Sequence, residues 1–169
     1  MTISYYELFY RSYNSLIMLP AEAPVVLVVE NHQDDYQSLV AAIEQCSLSA
    51  VIYWVKTGSE ALNFLLRQGA YAQANAAPRP DLIFLELDAT TNDGLEVIQC
   101  LRQTPDLKNI PVLVWTRINR MTAIDTCYYV GVNSYVIKSA QPEAWPEQLQ
   151  VLLKYWFAVS LLPDRLIRS

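Results

Sequence analysis

The chain has 169 residues, which suits one domain with a sizeable hydrophobic core and an additional segment. Its formal net charge of −5 and its scattered Lys and Arg residues argue against direct binding of nucleic acid, which needs clustered cations. No stretch approaches the roughly 20 apolar residues of a membrane span, and the three distant cysteines with one histidine predict neither a disulfide framework nor a zinc site. These features fit a cytoplasmic protein.

The first 23 residues form a separate segment before the regular pattern begins at Pro24. Their apolar side chains recur every three to four positions, which predicts an amphipathic helix with an aromatic face: Tyr5, Tyr6, Phe9, Tyr10, Tyr13, Leu16 and Ile17. Three interpretations stay open. The helix packs on its own domain or on a dimer mate, it docks a partner, or translation begins at Met18 and the segment is not native.

From Pro24 onward, apolar runs alternate with helical patterns. The runs predict five buried strands, at residues 25–29, 51–55, 82–87, 111–115 and 134–137. A helix is predicted after each strand. We interpret Asp34 and Asp35 as acids that favour the start of the first helix, because negative charge is stabilising there. The alternation predicts an α/β fold with a doubly wound parallel sheet over residues 24–162, followed by a tail at 163–169.

Polar residues stand where these strands end, and in a parallel sheet those ends share one edge. The first strand is followed by Glu30 and Asn31, the third ends at Glu86, the fourth at Thr116, and the fifth at Lys138. Carboxylates at such an edge would hold Mg²⁺, while a hydroxyl and an ammonium would bind phosphoryl oxygens. The sequence therefore predicts a site for a phosphoryl group and a divalent cation.

The order and spacing of these residues resemble the receiver domain of two-component response regulators. The matching stretches are Val-Val-Glu-Asn at 28–31, Pro-Asp-Leu-Ile-Phe-Leu-Glu at 80–86, Asn-Asp-Gly at 92–94, Pro-Val-Leu-Val-Trp-Thr at 111–116 and Tyr-Val-Ile-Lys-Ser at 135–139. The final helix is similar to that of single-domain regulators paired with cyanobacterial phytochromes. The resemblance implies a five-stranded flavodoxin-like sheet of order 2-1-3-4-5, a sensor histidine kinase or another signalling protein as partner, and no enzymatic activity.

The resemblance also assigns roles to single residues. Thr116, Tyr135 and Lys138 match the switch residues: the hydroxyl that moves toward the phosphoryl group, the aromatic side chain that turns inward on activation, and the conserved-role lysine. Glu30 matches the first acid of the acidic pocket, and Asp88 falls where the family uses a backbone carbonyl as a metal ligand.

Two positions depart from the family pattern. Asn31 stands where the second, metal-binding aspartate belongs, and Glu86 stands at the phosphoacceptor. The extra methylene of Glu86 moves the acceptor oxygen by about 1 Å, which can lower a rate on the order of 10²-fold. The amide of Asn31 removes a negative charge, so Glu30 and Glu86 are expected to hold Mg²⁺ weakly or not at all.

Glu86 has two interpretations. Its carboxylate can reach toward the position of the phosphoryl group and act as a constitutive mimic, within range of Lys138 and Thr116. Alternatively, it forms a plain Glu86–Lys138 salt bridge without switching. Sequence does not distinguish them, because fixing a state requires different contacts in the two states.

The last helix is predicted over residues 149–162, with a core face made by Leu149, Leu152, Leu153 and Trp156. It is apolar almost all round and therefore needs a second buried face. A homodimer is the simplest source, with an interface at Leu152, Tyr155, Trp156 and Val159.

We therefore expect a stand-alone pseudo-receiver that acts by protein–protein contact and independently of phosphorylation. A conventional phosphoacceptor regulator and a flavodoxin-like nucleotide-binding protein are the alternatives, although the sequence has no GxGxxG or GxxxxGK[ST] loop for a nucleotide.

Overall fold

Five parallel strands form the centre of the protein in a computed structural model that describes residues 23–73, 76–88 and 90–163. The strands are β1 (Val25–Val29), β2 (Val51–Val55), β3 (Leu82–Leu85), β4 (Val112–Thr116) and β5 (Ser134–Ile137). Their order is β2-β1-β3-β4-β5, and each neighbouring pair is parallel. The predicted order is thus confirmed, while the third strand ends two residues earlier than the sequence pattern suggested.

Within these residues, five α-helices connect or follow the strands: α1 (Gln33–Gln45), α2 (Gly58–Leu65), α3 (Asp93–Gln103), α4 (Met121–Val130) and α5 (Trp145–Lys154). Thr57 caps α2, because its hydroxyl accepts a hydrogen bond from the Glu60 amide at 3.1 Å. At the end of α4, Gly131 takes a positive φ of 102°, and its amide bonds to the carbonyls of Cys127 and Tyr128. Glycine adopts this left-handed geometry without a steric penalty, so the helix stops there.

The sheet has a hydrophobic core on each face. One core includes inward residues of α2 and α3, such as Phe64 and Ile98, against β1, β3 and β4. The other includes residues of α1 and α5, such as Leu39 and Leu149. The central strands are buried on both faces, which explains why their sequences are continuous apolar runs rather than alternating patterns.

The last helix differs from its prediction in position. It begins at Trp145 rather than at residue 149, and it continues beyond Lys154 as a π-helical turn, Tyr155–Val159. Trp156, predicted on the core face and also in a dimer interface, is 8% exposed and packs in the core of α1 and α5, which confirms the first assignment and not the second. Trp145, Leu149, Leu153 and Trp156 recur every three or four residues, so helical periodicity places Trp156 inward with the others.

The predicted N-terminal helix and the C-terminal tail lie outside the described residues, except for Ala23 and Pro163. In the part of the chain that is described, no helix combines the length and apolar character needed to span a membrane.

Candidate functional site

The carboxyl ends of β1, β3, β4 and β5 bring the predicted site residues to one edge of the sheet. The Glu86 amide donates to the Val29 carbonyl at 2.9 Å, which places Glu86 beside the end of β1 and hence beside Glu30. The Lys138 amide donates to the Thr116 carbonyl at 2.7 Å, so these two residues are also neighbours through the backbone. The backbone topology alone therefore brings these residues together at one edge of the sheet.

The Lys138 ammonium lies at the centre of the site and contacts three carboxylates. Its Nζ atom is 2.7 Å from Glu30 Oε2 and 2.6 Å from Asp35 Oδ2, and it also donates to Glu86 Oε2. The Lys138 side chain is fully buried, and Nζ lies 4.3 Å from the centroid of the Trp115 ring. A buried ammonium is strongly unfavourable unless it is paired, and here each of its three protons has an acceptor.

Arg117 supplies a second cation to the same cluster. Its Nη1 lies 2.7 Å from Asp35 Oδ2, and its Nη2 donates to Asp35 Oδ1 at 2.9 Å, so the pair is bidentate. Burial by itself raises the pKa of Asp35, but hydrogen bonds and charges from Arg117 and Lys138 outweigh it, and the pKa of Asp35 is lowered. The hydrogen bond to Asp35 is also the main reason that the pKa of Arg117 is raised.

The second oxygen of Glu86 is bound to Thr116. The Thr116 hydroxyl donates to Glu86 Oε1 at 2.5 Å, and the Leu87 amide donates to the same oxygen at 3.0 Å. Each carboxylate oxygen of Glu86 thus has a donor within the chain, Thr116 and Leu87 on one side and Lys138 on the other. The structure brings Glu86, Thr116 and Lys138 together as the sequence predicted.

Tyr135 faces inward. The ring is half-buried against the core of α2 and α3, and its hydroxyl donates to the Ile118 carbonyl at 2.9 Å. Burial, with the nearby Cys127 and Glu86, raises the pKa of Tyr135 to about 12. The phenol is therefore a neutral donor at physiological pH and holds the segment that follows Thr116.

Asn31 and Asp88, predicted as part of the acidic pocket, lie outside the ion cluster. Both are exposed, and they line an open pocket of about 170 Å³ that reaches Glu86 from the side of α2 and α3. Gly58 sits at the edge of this pocket, where a Cβ atom would lie 2.6 Å from Asp93 Cβ, so only glycine permits this approach. Asp88 Oδ1 accepts from the amide and hydroxyl of Thr90, and these hydrogen bonds lower the pKa of Asp88.

A divalent cation does not fit this arrangement. Mg²⁺ needs carboxylate oxygens in near-ideal octahedral geometry at about 2.0–2.1 Å. Glu30 and Glu86, predicted as its ligands, both bind the Lys138 ammonium, while Asn31 offers only a neutral amide. Glu30 Oε1 also accepts from the His32 amide at 2.9 Å. The oxygens that would ligate a metal are therefore directed at cations of the protein itself.

Asp35 is a site residue that the sequence interpretation did not recognise. Asp34 and Asp35 both lie in the first turn of α1, as predicted, but Asp35 is also buried and bound to Lys138 and Arg117, whereas Asp34 is exposed. The signal was present, because Asp35 shares the inward face of α1 with Leu39, Ala42 and Ile43 at spacings of four, seven and eight residues. Arg117 carried no such signal, since it follows the last residue of β4 and its direction is set by the loop.

Comparison with known proteins identifies the class. Residues 26–150 match the family model described as the response regulator receiver domain. The chain therefore belongs to this family, and it is a receiver domain of the kind used in two-component signalling.

Its similar relatives include regulators connected with phytochromes. The chain is 31% identical to response regulator Rcp1 of Synechocystis over 139 residues, which cover 82% of this chain and 92% of Rcp1. The Mn²⁺-bound form of Rcp1 superposes with a TM-score of 0.77 at 30% identity, covering 83% of this chain and 99% of that one. The phosphorylated cyanobacterial phytochrome response regulator RcpA gives a TM-score of 0.77 at 29% identity, covering 85% and 100%.

We predict that the stability contributed by Asp35 depends on pH. Because its folded pKa is lowered, this stability is present above the unfolded value of about 3.9 and is lost as the pH falls through the folded pKa. Asp35→Asn should lower the free energy of unfolding by about 3 kcal/mol at neutral pH, with a penalty that shrinks below pH about 4. Urea unfolding across this range measures both values.

Asp34→Asn is the matched control, because Asp34 is the exposed neighbour on the same helix turn. It should change the free energy of unfolding by no more than about 0.5 kcal/mol. A penalty for Asp35→Asn that stays constant from neutral to acidic pH would contradict the ion pairs assigned to Asp35.

Proposed function

We propose that this protein is an atypical receiver that acts by protein–protein contact and does not depend on phosphorylation at Glu86. One observation carries the proposal. The Glu86 carboxylate accepts from the Thr116 hydroxyl and from the Lys138 ammonium at the same time. These are the two groups that the family resemblance assigns to the phosphoryl oxygens, so a carboxylate of the chain already binds both of them.

The same contacts make Glu86 a poor phosphoacceptor. To attack a phosphodonor, a carboxylate oxygen must be free and directed at the phosphorus in line with the leaving group. Both Glu86 oxygens accept hydrogen bonds, and the carboxylate lies one methylene farther from the backbone than that of an aspartate. The carboxylates that would hold a metal are bound to Lys138, so the neutralisation of transition-state charge that a metal supplies would also be weakened.

The inward position of Tyr135 supports the mimic interpretation over the plain salt bridge. The family resemblance implies that this aromatic side chain turns inward on activation, when the threonine hydroxyl moves toward the phosphoryl group. Here Thr116 is bonded to Glu86 and Tyr135 to the Ile118 carbonyl two residues beyond Thr116. Glu86 brings one negative charge where a phosphoryl group brings about −1.5 to −2, so it is a partial substitute.

A conventional phosphoacceptor regulator is the second candidate. It is favoured by the similarity to RcpA, a regulator whose structure is of the phosphorylated form. Labelling with a small phosphodonor distinguishes the two functions.

We expect no phosphoryl group on the wild-type protein after incubation with acetyl phosphate and Mg²⁺, as measured by intact-mass spectrometry. The Asn31→Asp, Glu86→Asp double variant, which restores the family's residue at both positions, should take up the label and serves as the positive control. A label on the wild type that disappears in Glu86→Gln would contradict phosphorylation independence.

The state of Tyr135 tests whether Glu86 maintains a switch. If Glu86 acts as the mimic, Glu86→Gln removes the ionic contact with Lys138, and Tyr135 should become more exposed. The ¹³Cζ resonance of Tyr135, assigned with Tyr135→Phe, should then shift and broaden in the presence of a soluble paramagnetic agent. Glu96→Gln, an exposed acid on α3, is the control and should leave this resonance unchanged. An unchanged resonance in Glu86→Gln as well would establish the plain salt bridge.

The proposed partners are a sensor histidine kinase or another signalling protein in the cytoplasm, and a second copy of this chain. The homodimer is supported by apolar side chains exposed along one stretch of α5 and the π-helical turn. Tyr155 is 52% exposed and Val151 63% exposed, and Leu152 and Val159 lie in the same stretch. Trp156, being buried, contributes to the protomer core instead.

Tyr155→Lys should convert this dimer to a monomer, because it places a charge at the centre of the apolar stretch. Sedimentation velocity over a range of protein concentrations measures the change. Lys154→Glu, a charge substitution at the adjacent exposed position, is the control and should leave the association largely unchanged. A wild-type protein that remains monomeric at all concentrations would rule out the homodimer.

A further inference from the structure

The guanidinium of Arg117 is held beside the three carboxylates of Glu30, Asp35 and Glu86 by contacts with Asp35 and Trp145. Its two terminal nitrogens bind both oxygens of Asp35, and its guanidinium carbon lies 5.1 Å from the centroid of the Trp145 ring. Trp145 is itself buried, and its indole nitrogen donates to the Ser139 carbonyl at 2.9 Å. Although half of the Arg117 side chain is exposed, its charged end therefore has a defined position.

Charge explains why a second cation is needed there. Glu30, Asp35 and Glu86 bring three negative charges to the cluster, and Lys138 compensates one. Arg117 reduces the remaining excess to a single negative charge. The hydrogen bond to Asp35 raises the pKa of Arg117, and the negative charges of Glu86 and Glu30 raise it further. The guanidinium therefore interacts electrostatically with all three carboxylates.

We propose that Arg117 is a built-in replacement for a divalent cation in this pocket and keeps such a cation out. It does so by occupying both oxygens of Asp35 and by lowering the negative charge that would attract a metal. Arg117 is thus a positioning residue. It holds Asp35 against Lys138 and keeps the carboxylates paired with cationic side chains of the protein. This inference deepens the proposed function, on which it rests, by naming the residue that makes the pocket independent of metal.

The geometry of the neighbouring acids supports this role. Glu30, His32 and Asp35 each have one potential ligand atom, and these atoms lie within 4.8 Å of one another. Carboxylate oxygens, such as those of Glu30 and Asp35, are suitable donors for Mn²⁺. With Arg117 in place, both oxygens of Asp35 contact a cation: Oδ1 contacts Arg117, and Oδ2 contacts both Arg117 and Lys138. Removal of Arg117 frees Oδ1 completely and restores one negative charge.

Mn²⁺ titration of the 169-residue chain tests the inference, with unbound Mn²⁺ measured by electron paramagnetic resonance. Arg117→Ala and Arg117→Gln should bind Mn²⁺ at least roughly tenfold more tightly than the wild type, a difference of about 1.4 kcal/mol. Arg117→Gln keeps more of the side chain than Arg117→Ala and covers the case in which Arg117→Ala fails to fold. Arg117→Lys keeps the positive charge and should remain close to the wild type.

Two further variants show where the Mn²⁺ binds. Adding Glu30→Gln to Arg117→Gln should abolish the gained affinity if the ion enters this pocket. Arg120→Ala makes the same change in net charge from an exposed position in the same loop and should leave Mn²⁺ binding at the wild-type level. Equal affinity in the wild type and the Arg117 variants, or an equal gain in Arg120→Ala, would overturn the assignment.

The outcome is separate from that of the phosphodonor experiment. A label on wild-type Glu86 without Mn²⁺ binding would reject the proposed function and leave the role of Arg117 intact. Tight Mn²⁺ binding by the wild type, with no phosphoryl group on Glu86, would reject the role of Arg117 and leave the proposed function intact.

Discussion

The buried Lys138 ammonium is the constraint on which the arrangement of this site depends. An ammonium removed from water needs charge and hydrogen-bond compensation, and the carboxyl edge of the sheet provides it through Glu30, Asp35 and Glu86. Three carboxylates around one ammonium leave an excess of negative charge, which in turn requires a further cation nearby. In receiver chemistry a divalent metal serves that purpose, and in this chain the contacts of Arg117 do so.

Lys138 and Thr116 are neighbours, because the Lys138 amide donates a hydrogen bond to the Thr116 carbonyl. A carboxylate or phosphoryl group at this edge can therefore contact both side chains. The Glu86 carboxylate binds both of them, one with each of its oxygens. Thr116 is connected by the chain to Ile118, whose carbonyl holds the Tyr135 hydroxyl. These contacts therefore connect the glutamate at the end of β3 with the whole edge, from the ion cluster around Lys138 to Tyr135.

The sequence predicted the parts of this protein that depend on strand pattern and strand ends. Continuous apolar runs located the strands, and the parallel topology brought Glu30, Glu86, Thr116 and Lys138 together without knowledge of any contact. Residues on helices were harder to place, since their direction depends on the phase of the helix. Asp35 is the example, because its part in the ion cluster was missed although its inward face was readable from neighbours at helical spacing.

Arg117 could not have been predicted in the same way. A loop residue has no periodicity, and the direction of a long side chain follows from packing against distant elements, here Trp145 at the start of α5 and Asp35 at the start of α1. The absence of a fit for a metal likewise depends on which oxygens contact Lys138. Asn31 and Asp88 were assigned to the acidic pocket from the family resemblance, whereas their exposed side chains line the open pocket and make no contact with the ion cluster among the described residues.

The central claim is that the Glu86 carboxylate holds Thr116 and Lys138 by itself. A crystal structure of the wild-type protein grown with Mg²⁺ and beryllofluoride, an analogue of the phosphoryl group, tests it most directly. We predict that Glu86 still accepts from Thr116 and Lys138, that Tyr135 remains inward, and that no beryllofluoride is bound at the carboxylate. Beryllofluoride on Glu86, with Lys138 and Thr116 donating to its fluorine atoms and Mg²⁺ beside Glu30, would contradict the account.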